Sequence, residues 1–230
     1  MNVRTTIVFS SLALIYLATL PLTPYVAQFL PKALPIVVLA VFAYTKLSAM
    51  PRYMVLTALL FSLAGDVSLA LPFADSFITG LACFFVAHLT YAMCFALLHR
   101  RLQETPGDHI ISRKPKLFIS IIMVSFAVMM AVHILPASKA LFYPVVAYIS
   151  VITLMGLTAV WLAQTKLIVT GALLFVISDA ILAQSVFKTP LPLSTFWVMT
   201  TYYGAQYCLT MGLVDGFLRK ENRQEEIGQT

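Results

Sequence analysis

Long apolar runs separated by short polar breaks dominate the chain, at about 6–24, 33–45, 53–71, 77–98, 117–135, 140–163, 167–187 and 195–217. Most reach the roughly 20 residues that a helix needs to cross a bilayer. The second run is short and starts at Pro35, just after Pro31 and Lys32. The pattern predicts an all-α polytopic membrane bundle of about eight transmembrane helices, or seven without that second run. It divides the chain into one transmembrane domain over 1–217 and a short tail of mixed charge over 218–230, frayed and cytoplasmic.

Composition identifies the solvent. The sequence is 60% hydrophobic and only 10% charged, where a soluble domain carries about 25% charge. No soluble core could hide so much apolar surface, so the chain reads as an integral, multi-pass membrane protein, inner-membrane in a bacterium. Lys and Arg divide unevenly between alternate loops. One side holds Arg4, Lys46, Arg52, Arg100, Arg101, Arg113, Lys114, Lys116, Lys166, Arg219, Lys220 and Arg223; the other holds Lys32, Lys139 and Lys188. By the positive-inside rule, both termini are cytoplasmic.

The net charge of +6 is therefore a topology signal. No basic surface with stacking aromatics is present to bind nucleic acid. Arg4 ahead of an apolar stretch resembles a signal peptide, but without a small-x-small cleavage site it reads as a retained first helix. Cys83, Cys94 and Cys208 fall inside helices and read as packing residues. The basic segment 99–116, with a turn at Pro106-Gly107, reads as an ordinary cytoplasmic loop.

Two aspartates stand out in this frame. Asp66 lies in ALLFSLAGDVSLAL (58–71) and Asp179 in ALLFVISDAILAQ (172–184), 113 residues apart and in matching contexts. A carboxylate at bilayer depth costs about 2.5–3.5 kcal/mol or more, so function is its default reading. Asp66 lies 14 residues past Arg52, and Asp179 lies 13 past Lys166. At about 1.5 Å per residue both sit about 20 Å into a core of roughly 30 Å. They share a depth on helices predicted to run the same way, and the spacing fits a parallel four-helix internal repeat. The competing reading for each is a buried structural hydrogen bond.

Helices of opposite direction supply polar groups at compatible depth. His88 and Tyr91 share a face of the fourth. In the eighth, Tyr202 and Tyr203 stand four and three residues before Gln206, with Gly204 and Ala205 allowing close backbone approach. One of the two tyrosines is also a candidate for the aromatic belt at the interface. Lys32 is placed to snorkel to a headgroup, to meet a lipid phosphate or to meet an aspartate. The methionines around Met123, Met129 and Met130 read as lipid-facing filler. Ser178 has no Gly-x-Ser-x-Gly turn to make it a nucleophile.

For zinc, His99 and His109 lie in the loop and His133 near the outer end of its helix. A site of His88, Asp66 and Asp179 is carboxylate-rich for that metal. No metal or cofactor is called for. Two carboxylates in a low-dielectric pocket do not both ionise readily, which leaves one protonated acid and one anionic base near neutral pH. That arrangement suits acetal and enol-ether hydrolysis through an oxocarbenium-like state.

The ordered set Lys32-x-x-Pro35, F-S-x-x-G-D (61–66), A-H-L-x-Y (87–91), A-Y (147–148), G-A-L-L-F-x-x-S-D-x-x-L-A (171–183) and T-Y-Y-x-A-Q (201–206) resembles the YhhN family of integral-membrane lysoplasmalogenases. The resemblance implies hydrolysis of the vinyl-ether bond of lysoplasmalogens, single-chain alkenyl lysophospholipids, to a fatty aldehyde and a glycerophospho-base. It implies Asp66 and Asp179 as the catalytic pair. His88, Tyr91, Ser178, Tyr202, Tyr203 and Gln206 then serve as supporting residues, with Lys32 on the phosphate. A proton-coupled transporter and an acyl lysophospholipase are the rival classes.

Overall fold

A computed structural model describes residues 3–25, 27–103, 113–162 and 165–228. These residues form eight α-helices and no strand: α1 (Val3–Thr19), α2 (Phe29–Lys46), α3 (Ala49–Ala70), α4 (Ser76–Gln103), α5 (Arg113–Ser138), α6 (Phe142–Leu162), α7 (Lys166–Phe187) and α8 (Ser194–Gly228). In hydrocarbon, backbone groups must be satisfied within their own segment, and a helix does that for every apolar run.

Six stretches among the described residues are long and apolar enough to cross a membrane, and the longest, Arg113–Leu162, holds both α5 and α6. Of the eight helices, α8 is the one outside these stretches. Its run of Thr, Tyr and Gln lowers its hydropathy because that face turns inward, where Tyr202, Tyr203, Gln206 and Thr210 are all buried.

Several boundaries differ from those the apolar runs predict, each for a local reason. The first run ends early: α1 stops at Thr19, and a 3₁₀ turn over Leu20–Leu22 takes up Pro21. The second starts earlier than expected, at Phe29. Pro31 falls in its first turn, where no intrahelical N–H is lost, so Lys32 belongs to the helix itself. The chain beyond 217, expected to fray, continues α8 to Gly228. The Pro106-Gly107 turn and His109 lie outside the described residues.

The most extensive helix contacts are α3 on α4 and α7 on α8, with α4 also packed on α6. Gly65 and Gly171 are among the glycines that set these distances. A Cβ on Gly65 would meet the Phe84 ring at 2.6 Å, and one on Gly171 would meet the backbone N of Leu209 at 2.9 Å and the Ala205 carbonyl at 3.0 Å. The close backbone approach thus involves Ala205, as expected. The glycine that permits it is Gly171, which faces backbone, whereas a Cβ on Gly204 would meet only a Leu174 side-chain carbon, at 3.2 Å.

Helices α1 and α5 are peripheral. The first buries Phe9, Ala13 and Tyr16, and the second Ser120, Met123, Ile134 and Ser138. Large apolar side chains such as Leu14, Val41, Val132 and Leu154 stand exposed around the bundle, a surface suited to lipid. The methionines of α5 do not all face outward. Met129 does, but Met123 is buried against Gly156, and Met130 lines an internal cavity. A residue without a side chain on α6 leaves the slot that the flexible Met123 fills.

Candidate active site

The aspartates of α3 and α7 line one cavity of about 320 Å³, with Tyr16, Lys32, Ser178 and Tyr202. Leu69, Phe77, Phe84 and Leu182 supply its apolar wall. Equal depth along parallel runs was the sequence argument for a common site. The cavity places both carboxylates in it, although they make no direct contact.

Each carboxylate has its own set of partners. Asp66 is almost fully buried and pairs with Lys32, whose Nζ lies 3.3 Å from Oδ1 and donates to the Asp66 carbonyl at 3.2 Å. The turn of α2 that carries Lys32 is fixed in turn by Tyr203, whose hydroxyl donates to the Lys32 carbonyl at 2.8 Å. Tyr16 and Phe9 of α1 pack edge-on against that ring. Of the fates open to Lys32, the structure selects the aspartate. The second oxygen, Oδ2 of Asp66, is buried without a partner, and so is the Tyr202 hydroxyl. The two are close enough to interact but stand outside hydrogen-bond geometry. Tyr202 is held edge-on by Phe84 and Phe175.

Asp179 is held by hydroxyl and imidazole groups. Tyr148 of α6 donates to Oδ2 at 2.6 Å, and Nε2 of His88 lies 3.2 Å from the same oxygen. His88 Nε2 is also 3.1 Å from the Tyr148 hydroxyl, which closes a three-membered cluster across α4, α6 and α7. The His88 ring is clamped edge-on by Phe175 at 4.5 Å. With both bonds on Oδ2, the other carboxylate oxygen is available to the cavity.

The remaining candidates occupy different places. Ser178 donates to the Val198 carbonyl at 3.0 Å, tying α7 to α8 at the cavity wall. Tyr91 donates to Gln206 Oε1 at 2.6 Å, fully buried, with Ser62 and Thr210 nearby and no place in the cavity lining. Tyr202 and Tyr203 are each 3% exposed, so neither belongs to an aromatic belt. Among the described residues, no three His, Cys, Asp or Glu come together in a metal-holding group.

Tyr148 is the residue that sequence reasoning passed over, noted only as part of an Ala-Tyr pair. The depth argument would have found it. It lies six residues inside the start of α6, and Asp179 lies eight residues before the end of the oppositely running α7. The cavity mouth is likewise polar: Ser76, Ser185, Ser194 and Thr195 line it at the helix ends opposite Arg52 and Lys166.

Comparison with known proteins places this arrangement. The chain is similar to lysoplasmalogenase TMEM86B of Homo sapiens, 34% identical over 186 residues, which cover 79% of this chain and 73% of that protein. It is 32% identical over 160 residues to TMEM86B of Sus scrofa, covering 68% of this chain and 61% of that one. It is 28% identical over 171 residues to lysoplasmalogenase TMEM86A of Bos taurus, covering 70% and 65%. The match therefore spans slightly less than two thirds of the pig and cattle proteins. No solved structure matches the chain. The YhhN family model matches residues 27–213, a span that holds Lys32, His88, Tyr148 and both aspartates, and the chain belongs to the YhhN family.

Proposed function

We propose that this protein hydrolyses the vinyl-ether bond of lysoplasmalogens, with Asp66 and Asp179 as its acid–base pair. One observation carries the mechanism: two carboxylates, Asp66 buried and Asp179 largely so, line the same cavity, each held by neighbouring side chains through one oxygen. The names of the similar proteins support the bond class.

In the reaction, a protonated aspartate gives its proton to the carbon β to the ether oxygen, and an oxocarbenium forms at the α-carbon. The other carboxylate stabilises that cation and takes a proton from the attacking water, giving a hemiacetal. Collapse breaks the bond between the α-carbon and the glycerol oxygen. The carboxylate that received the water proton passes it to the leaving oxygen, and the first carboxylate recovers a proton from the hemiacetal hydroxyl. Both aspartates return to their starting states. Lys32 holds Asp66 in place, and the hydroxyl groups of the mouth suit a glycerophospho-headgroup. Protein dipoles aimed into a cavity of low dielectric stabilise the developing cation without reorganising.

We also infer that all eight helices cross the membrane with both termini in the cytoplasm. The dense α3–α4 and α7–α8 pairs, each carrying one aspartate on its first helix, then derive from a duplicated four-helix unit.

The test offers purified protein a 1-alkenyl and a 1-acyl lysophospholipid and measures aldehyde and fatty acid. Aldehyde from the alkenyl lipid supports the reading. Fatty acid from the acyl lipid alone makes the protein a lysophospholipase, and accumulation in proteoliposomes without a product makes it a transporter.

A further inference from the structure

A second cavity adjoins the first. It lies between α4, α5, α6 and α7, has a volume of about 80 Å³ and is walled almost entirely by apolar side chains, Ile149, Ile152, Met130, Ala127 and Ala183 among them. The two cavities share Asp179 and the side chains of Leu69, Phe77, Phe84 and Leu182. Tyr148, the donor to Asp179, lines the apolar one. The charged pair of Lys32 and Asp66 and the hydroxyl-lined mouth belong only to the polar one.

We propose that the apolar cavity seats the hydrocarbon chain of the substrate, so that a single-chain amphiphile lies across the shared wall with its first chain carbons against Asp179 and its headgroup towards Lys32. This rests on the lysolipid reading above and adds the direction in which the lipid lies. The chain exchanges bilayer hydrocarbon for these apolar side chains, so close packing, and not removal from water, is what holds it there. Size sets the selectivity. A cavity of about 150 Å³ takes one benzene ring, so this one takes the first methylenes of one chain and has no width for a second. The outer wall is α5, a peripheral helix that buries only four side chains and so has little to lose when a chain passes beneath it.

This seating puts Asp179 beside the carbon that must be protonated, which lies on the chain side of the vinyl ether. Asp66, paired with Lys32, then lies on the headgroup side of the vinyl ether, towards the ether oxygen and the attacking water.

The test uses a non-hydrolysable 1-alkyl lysophosphocholine with a diazirine on the chain, photolysed with the purified protein. The labelled peptides are mapped by mass spectrometry. A diazirine on the chain carbon nearest the ether is expected to label Asp179 or its α7 neighbours, and one a few methylenes further on to label Met130, Ile149 or Ile152. Label confined to outward residues such as Val132 and Leu154 overturns the proposal, whatever reaction the protein performs. Ala127→Trp fills the slot from the peripheral helix. It is expected to abolish internal labelling and to raise KM for a 16-carbon alkenyl lysolipid at least tenfold, while a two-carbon ethenyl analogue, which places no methylene in the cavity, is turned over within threefold of wild type. Equal loss on both chain lengths, or no change on either, contradicts the seating. Absence of aldehyde from the wild-type protein with internal labelling intact would count against the vinyl-ether chemistry alone.

Discussion

The Tyr148 hydroxyl donates to Asp179 Oδ2 at 2.6 Å, across the packing of α6 on α7, and the same oxygen meets His88 Nε2 at 3.2 Å. Two groups on one oxygen fix which face of the carboxylate looks into the cavity. A hydrogen bond to a charged partner is worth about 1.5–3 kcal/mol. Tyr148→Phe is therefore expected to lower kcat roughly 10- to 100-fold with KM little changed, since the ring that lines the chain cavity remains. Steady-state aldehyde release checks this, and an unchanged kcat would remove Tyr148 from the account.

Lys32 and Asp66 form the other buried pair. Removing one partner of such a pair leaves an uncompensated charge and costs about 3–5 kcal/mol. Lys32→Met is expected to lower the thermal unfolding midpoint in detergent markedly. Lys32→Met with Asp66→Leu, which removes both charges, is expected to regain most of that stability while remaining inactive. If the double substitution is no more stable than the single one, the pair is not what holds α2 on α3.

Much of this was legible in the sequence because hydrocarbon is a simple solvent. The eight apolar runs became eight helices, and the energetic cost of Asp66 and Asp179 at depth marked them before any contact was known. Lys32 was placed within reach of an aspartate but not assigned one. Choosing between Asp66 and a lipid phosphate depends on the α2 register, which follows from Pro31 falling in a first turn. Tyr202 and Tyr203 were ambiguous because their distance from the interface suits an aromatic belt. The packing of α1 and α2 over Tyr203, and of Phe84 and Phe175 around Tyr202, shows that both are inside. Met123 and Met130 were misplaced for a related reason: a uniformly apolar helix such as α5 gives no sequence signal of which side faces the bundle. The second cavity had no signature at all, since its walls read like any other lipid-facing surface.

Gly171 bears on stability more directly than Gly65. Its neighbours are the backbone N of Leu209 and the Ala205 carbonyl, which cannot rotate away, whereas Gly65 faces a side chain, Phe84. Gly171→Ala must move α7 and α8 apart by a few tenths of an ångström, and overpacking of this kind costs about 1–3 kcal/mol. Thermal unfolding of the two alanine variants is expected to rank Gly171→Ala as the more damaging. Activity is expected to be more sensitive to Gly65→Ala, because Phe84 divides the two cavities.

Tyr91 and Gln206 pair outside the cavity lining. Gln206→Leu leaves the buried Tyr91 hydroxyl without that acceptor, at about 1–3 kcal/mol, and Tyr91→Phe with Gln206→Leu is expected to be less destabilised than Gln206→Leu alone. Activity per folded molecule in the double variant is expected within threefold of wild type. A loss of a hundredfold would place the pair in the reaction after all.

The central claim is that the two aspartates work as one acid–base site. Aldehyde release from a 1-alkenyl lysolipid by wild type, Asp66→Asn and Asp179→Asn, each shown to be folded by its unfolding transition, tests it most directly. Each single substitution is expected to lower kcat by about 10²–10⁴, the range of one general acid or base, and the double substitution to cost little more than either, as groups acting as a unit do. Turnover near the wild-type rate in either folded single variant, or losses that simply multiply in the double variant, would contradict it.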